Sequence, residues 1–133
     1  MLSLEMNDRV AVVGSAFTAD LMRHATFWQN GTLTDLGVPA GEQESIGCDV
    51  NNLNRVVGAV THDFLVASAA TWQNGSWTLL PAIEPGAASD PLKPFVRLEA
   101  AVFVNIRGDI VAVGFDSRVP SGSKSYFLRL VRE

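Results

Sequence analysis

Apolar residues in this chain come in short runs and not in long helical stripes. Residues 10–13, 56–60, 102–104 and 110–113 are dominated by β-branched side chains, which suit a pleated, half-buried surface. No eleven-residue window holds a clean 3.6-residue period with capping signals. The best helical segment is 16–24 (AFTADLMRH), long enough for a turn or two. The pattern therefore predicts an all-β chain.

Two dipeptides give the strongest local prediction. Asn30-Gly31 and Asn74-Gly75 each suit a type I′ turn, which needs positive φ at both central residues. Asn tolerates that conformation and Gly adopts it without steric cost. Hairpins are expected that pair 25–29 with 32–36 and 69–73 with 76–80. Both dipeptides also open an N-x-[ST] acceptor pattern, but the turn already accounts for them.

The turns belong to a larger repeat. Trp28-Gln29-Asn30-Gly31 recurs 44 residues later as Trp72-Gln73-Asn74-Gly75. Asn7 and Asn51 share that separation, as do Gly14 and Gly58, each glycine after a Val-Val pair. A period of this length points to blades or stacked modules. Each unit reads as four strands: one ending in Val-Val-Gly, one carrying the Trp, one after the Asn-Gly turn, and one running into the next Asn. The units span approximately 7–50, 51–104 and a partial 105–133. In the third, 110–114 copies the first strand and 125–128 the second. The expectation is one domain, 1–133, of about two and a half β-propeller-like four-stranded units forming an incomplete ring. A small antiparallel β-sandwich or barrel is the alternative. Trp28 and Trp72 are expected at equivalent core positions. The second unit is ten residues longer, and the surplus falls in 81–95, which holds Pro81, Pro85, Pro91 and Pro94. Proline cannot donate to a ladder, so this segment is read as an exposed loop.

The stretch from His24 to Gly37 (HATFWQNGTLTDLG) resembles the HAF repeat of extracellular bacterial proteins. That repeat runs H-A-F-x-W, a short N-G turn, then T-D-L-G, followed by an I-N segment and a V-V-G strand. Val50-Asn51 with Val56-Val57-Gly58, and Val104-Asn105 with Val113-Gly114, supply the later parts. In the second unit Ser68-Ala69-Ala70-Thr71-Trp72 replaces the His-led motif and Thr78-Leu79-Leu80 replaces T-D-L. The resemblance implies a propeller-like stack of four-stranded units and an extracellular or cell-surface location. It implies no common chemistry.

Composition narrows this little. A chain of 133 residues that is 47% hydrophobic has room for one core and is not disordered. No apolar run approaches the roughly 20 residues of a membrane helix, so no membrane span is expected. The start, MLSLEMNDRV, lacks the pattern of a signal peptide. Charge is divided: residues 1–92 carry 3 basic and 10 acidic groups, while 93–133 carry 7 basic and 4 acidic. Opposite ends of this kind favour head-to-tail association. The basic residues (among them Arg97, Arg107, Arg118, Lys124, Arg129 and Arg132) are dispersed, with no stacking aromatics between them, so no nucleic-acid partner is expected.

Chemistry is sparse. Cys48 stands alone and has no adjoining base to activate it, so it reads as a small buried side chain. The two histidines, His24 and His62, match no zinc, nucleophile or nucleotide motif. Asp8, Asp35, Asp49, Asp63, Asp109 and Asp116 read as turn-stabilising residues and not as a calcium loop. No catalytic, cofactor-binding or metal residue is assigned, and no cofactor is implied. The expected function is a non-enzymatic binding or scaffold module that self-associates through open sheet edges, chiefly the terminal hairpin in 109–131, or pairs with further repeats. Two alternatives stay open: a carbohydrate-binding module using an exposed Trp77 or Phe95, and a small hydrolase using His62, Asp63 and a nearby Ser.

Overall fold

The computed structural model describes residues 2–62, 66–80, 96–116 and 123–128. Within them the chain forms β1 (Leu2–Met6), β2 (Val12–Phe17), β3 (Arg23–Gln29), β4 (Thr32–Asp35), β5 (Glu44–Val50), β6 (Val56–His62), β7 (Val66–Gln73), β8 (Ser76–Leu79), β9 (Val96–Val104), β10 (Ile110–Asp116) and β11 (Ser123–Leu128). The described residues contain no helix, and hence none long and apolar enough to cross a membrane. Segment 16–24 instead continues β2, turns at Thr18 and enters β3. The Leu21 and Met22 N–H groups both donate to Thr18, to its carbonyl and its hydroxyl respectively.

Three antiparallel sheets result, ordered β1-β2-β3-β4, β5-β6-β7-β8 and β11-β10-β9. Both Asn-Gly hairpins form as expected, with Gln29 opposite Thr32 and Gln73 opposite Ser76. Asn30 and Gly31 have φ of 53° and 79°, and Asn74 and Gly75 have 54° and 87°. The terminal hairpin also forms: β10 pairs with β11, which lies at the sheet edge. The 81–95 segment lies outside the described residues.

The grouping of strands differs from the sequence expectation. The strand that runs into each repeated asparagine does not close its own unit. β5 pairs with β6 and β9 with β10, so each opens the next sheet. The reason is connectivity: the asparagine turn is a tight reversal that joins antiparallel neighbours, whereas eight residues separate β4 from β5. A second correction concerns the third unit. Matching Gly114 to Gly14 and Gly58 misplaces the register. Each first strand carries a bulge, which leaves Leu4, Cys48 and Val102 unpaired. Counted from that bulge and from the asparagine, Ala112 stands where Gly14 and Gly58 do.

The sheets stack face to face through equivalent positions. β5 lies against β1, β2 and β3, and β9 lies against β5, β6 and β7. Val13, Ala25 and Leu36 of the first sheet meet Val50 and Val56 of the second, with Phe27, Trp72 and Trp77 packed against them. At the next interface Val57, Ala69 and Leu80 meet Val104 and Ile110. The first three positions advance by 44 residues and the last two by 54, which are the two repeat spacings. Each fully buried Val or Ile contributes about 1.5–3 kcal/mol relative to exposure, so the repeated pattern is a repeated energy source. Gly47 permits close approach, since a Cβ there would overlap the Val13 side chain.

The repeated asparagines tie the stack at one end. The Asn7 Nδ2 donates to the Asn51 carbonyl (2.7 Å), and the Asn51 Nδ2 donates to the Asn105 carbonyl (3.0 Å). Each Oδ1 meanwhile accepts two N–H groups of its own turn: Arg9 and Ala11, Leu53 and Arg55, Arg107 and Asp109. The side chain thus shapes its turn and binds the next one. Asn7 and Asn51 are buried, at 9% and 6% exposure, where an unpaired amide would be costly. The repeated glutamines staple the hairpin tips to the same turns, Gln29 to the Arg9 carbonyl and Gln73 to the Leu53 carbonyl.

Candidate functional site

The most unusual surface is the face of the first sheet that points away from the second. Strand alternation and the ladder place Met6, Val12, Trp28 and Leu33 on it. Their counterparts in the second sheet are Val50, Val56, Trp72 and Trp77, the residues that dock on the first sheet. On the first sheet no described element covers this set. Met6 is 60% and Leu33 53% exposed. Trp28 therefore does not share the core position of Trp72, as the repeat alone suggests. Both occupy the same ladder position, opposite Val12 and Val56, but only Trp72 has a sheet before it. Trp72 lies with its ring centroid 6.4 Å from that of Phe27.

The polar half of the same face surrounds a hollow of about 220 Å³ lined by Ala16, Phe17, Thr18, His24, Thr26, Leu33 and Asp35. The His24 Nδ1 lies 2.8 Å from the Asp35 Oδ1. That oxygen also accepts the Gly37 N–H (2.7 Å), and the Gly37 carbonyl accepts the Ser45 hydroxyl (2.6 Å). The Asp35 carboxylate is therefore engaged in fixing the turn that leads to the second sheet. This accounts structurally for His24, Asp35 and Gly37, which the second unit replaces with Ser68, Leu79 and Pro81.

A larger cleft, about 290 Å³, opens at the end of the molecule opposite the asparagine turns. Arg23, Glu44, Thr61 and Glu99 stand at it, over Ile46, Ala59 and Ala100. The Glu44 Oε2 accepts the Arg23 backbone N–H (2.7 Å). The Arg23 Nε and Thr61 Oγ1 are buried without a hydrogen-bond partner among the described residues. The cleft offers hydrogen-bonding groups over an apolar floor, and the Ser45 hydroxyl in its lining is engaged with the Ala25 N–H and the Gly37 carbonyl.

The remaining candidates are dispersed. The His62 Nδ1 lies 2.8 Å from the Gly41 carbonyl, which accepts its proton and fixes the ring. Asp63, paired with it in the hydrolase alternative, lies outside the described residues, as does Phe95. Trp77 is not the exposed ring expected for sugar stacking. It is half-buried against the first interface, and its Nε1 donates to the Leu36 carbonyl (2.9 Å). Cys48 is the bulged residue of β5, and burial pushes its thiol pKa up, with the neighbouring Asp49 charge adding to the rise. It is consequently a poor nucleophile. Among the described residues no three His, Cys, Asp or Glu side chains converge as metal ligands. Several aspartates hold turns or strands instead: Asp49 accepts the N–H groups of Val50 and Val104, and Asp8 meets Asn52.

The asparagine ladder escaped the sequence reading. Its signal was the recurrence of asparagine at 7, 51 and 105, spaced 44 and then 54 residues apart. Comparison with protein-family models, with curated proteins and with solved structures finds no match to this chain.

Proposed function

We propose that this chain is a non-enzymatic binding or scaffold module, built from propeller-like repeats of the HAF kind, that works by associating with further copies or repeats. One observation carries the reading: the same sheet-on-sheet contact is used twice, and its docking positions recur uncovered on the first sheet. The residues most prominent in the motif (His24, Trp72, Gln73, Asp35 and the asparagines) are engaged in packing or hydrogen bonds that hold the stack together. Exposed apolar patches on a rigid scaffold mark interaction sites more often than reaction centres.

Light scattering on the purified chain at tens of micromolar tests it. A species heavier than the 14.3 kDa monomer is expected. A strict monomer contradicts the reading. So would turnover of an ester or glycoside substrate that disappears in His62→Ala, which would install the hydrolase alternative in its place.

A further inference from the structure

We propose that the outward face of the first sheet docks on the outward face of the third sheet of a second copy, so that the asparagine ladder continues from one chain into the next. This rests on the scaffold reading above and replaces edge pairing with face stacking as its means. Within one chain the first sheet receives the second, and the second receives the third, through one set of positions. The two faces that no described element covers carry positions from the two halves of that same contact. On the first sheet, Met6, Val12, Trp28 and Leu33 repeat the docking set. On the third, Val111 stands where Val13 and Val57 receive a partner, paired with Phe103, which is 58% exposed.

The ladder supplies the register. It runs in one direction, each side-chain amide donating to the next asparagine's carbonyl. At its far end the Asn105 Nδ2 meets no further turn among the described residues and donates to the Asp109 Oδ2 (3.2 Å). At its near end the Asn7 carbonyl accepts the Val10 N–H of its own turn but no preceding asparagine. The Asn51 carbonyl, by contrast, accepts both the Asn54 N–H and the Asn7 side chain. A second copy placed by the repeat brings the donor of one end to the acceptor of the other. Charge runs the same way: residues 1–92, which hold the first two sheets, carry 3 basic and 10 acidic groups, while 93–133, which hold the third, carry 7 basic and 4 acidic. Such a contact is heterologous. It builds a ring if the rotation per copy closes and a filament otherwise.

Two exposed substitutions, Leu33→Glu on the first sheet and Phe103→Glu on the third, test this by sedimentation over a dilution series. Each should weaken self-association at least tenfold while leaving the circular dichroism spectrum and Tm unchanged. An equimolar mixture of the two should recover a dimer and nothing larger, because each variant keeps one intact face. Association that ignores both substitutions but is lost in Tyr126→Pro, on the edge strand, overturns face docking and leaves the scaffold reading standing. A wild-type monomer throughout the dilution series, from the tens of micromolar of the first test upward, overturns both. Equal recovery in either variant alone shows a symmetric contact and also overturns the inference.

Discussion

At the residue scale, the asparagines do the most with the fewest atoms. Asn51 satisfies two backbone donors of its own turn and one carbonyl of the next. Asn51→Ala strands both N–H groups in a buried site and leaves the Asn105 carbonyl with only the Gly108 N–H, and a loss of about 3 kcal/mol in urea unfolding is expected. Asn105→Ala, at the exposed end of the ladder, should cost about 1 kcal/mol or less. The fourth position of each turn is left-handed, with Val10 at φ 57°, Asn54 at 59° and Gly108 at 86°. A β-branched residue is strained there, so Val10→Asn should raise stability by about 1 kcal/mol. Gly47→Ala should destabilise by about 1–3 kcal/mol, since its methyl would enter the space of Val13. Cys48 gives a pH signature. Its thiol pKa is raised in the folded state, so the unfolded chain loses that proton first as pH rises. Stability from this group is present below the ordinary thiol range and falls as pH climbs through it. The stability difference between wild type and Cys48→Ala should shift accordingly over that window, and a pH-independent difference would contradict the assignment.

At the element scale, the hairpins were legible because their chemistry is local. Asn-Gly demands positive φ, and alternating residues on either side fix the register, so both hairpins could be written down in advance. The pairing of β5 with β6 was not legible in the same way. A repeat in sequence has no natural starting point, and choosing the asparagine as the start split each sheet between two units. The bulges at Leu4, Cys48 and Val102 left no compositional mark, because a bulge is set by two-strand geometry and not by residue type. The two tryptophans show the same limit. Sequence makes Trp28 and Trp72 equal, but only Trp72 faces another described sheet, so stacking makes them unequal. Trp72→Ala should cost about 3 kcal/mol and Trp28→Ala about 1 kcal/mol in the monomer, the reverse order being incompatible with the stack.

At the scale of the whole molecule, a stack of like sheets is held by nearest-neighbour contacts. On the proposed reading the outward faces resemble the internal ones, and association would continue the fold. The all-β character was legible in the sequence pattern, because short β-branched runs and turn dipeptides survive in one dimension. The site was far less legible. Whether a residue of the docking set is buried or exposed depends on its place in the stack, which Met6 and Val50 illustrate. Trp77 was misread for the same reason, since its neighbour Leu36 comes from the preceding sheet.

The most direct test of this stacking is a nuclear Overhauser spectrum of the dilute monomer, read at the two tryptophan rings. The Trp72 ring should show contacts to Phe27 and other side chains of the first sheet, while the Trp28 ring shows contacts only within its own sheet. Matching patterns for both rings, confined to their own hairpins, would contradict the account.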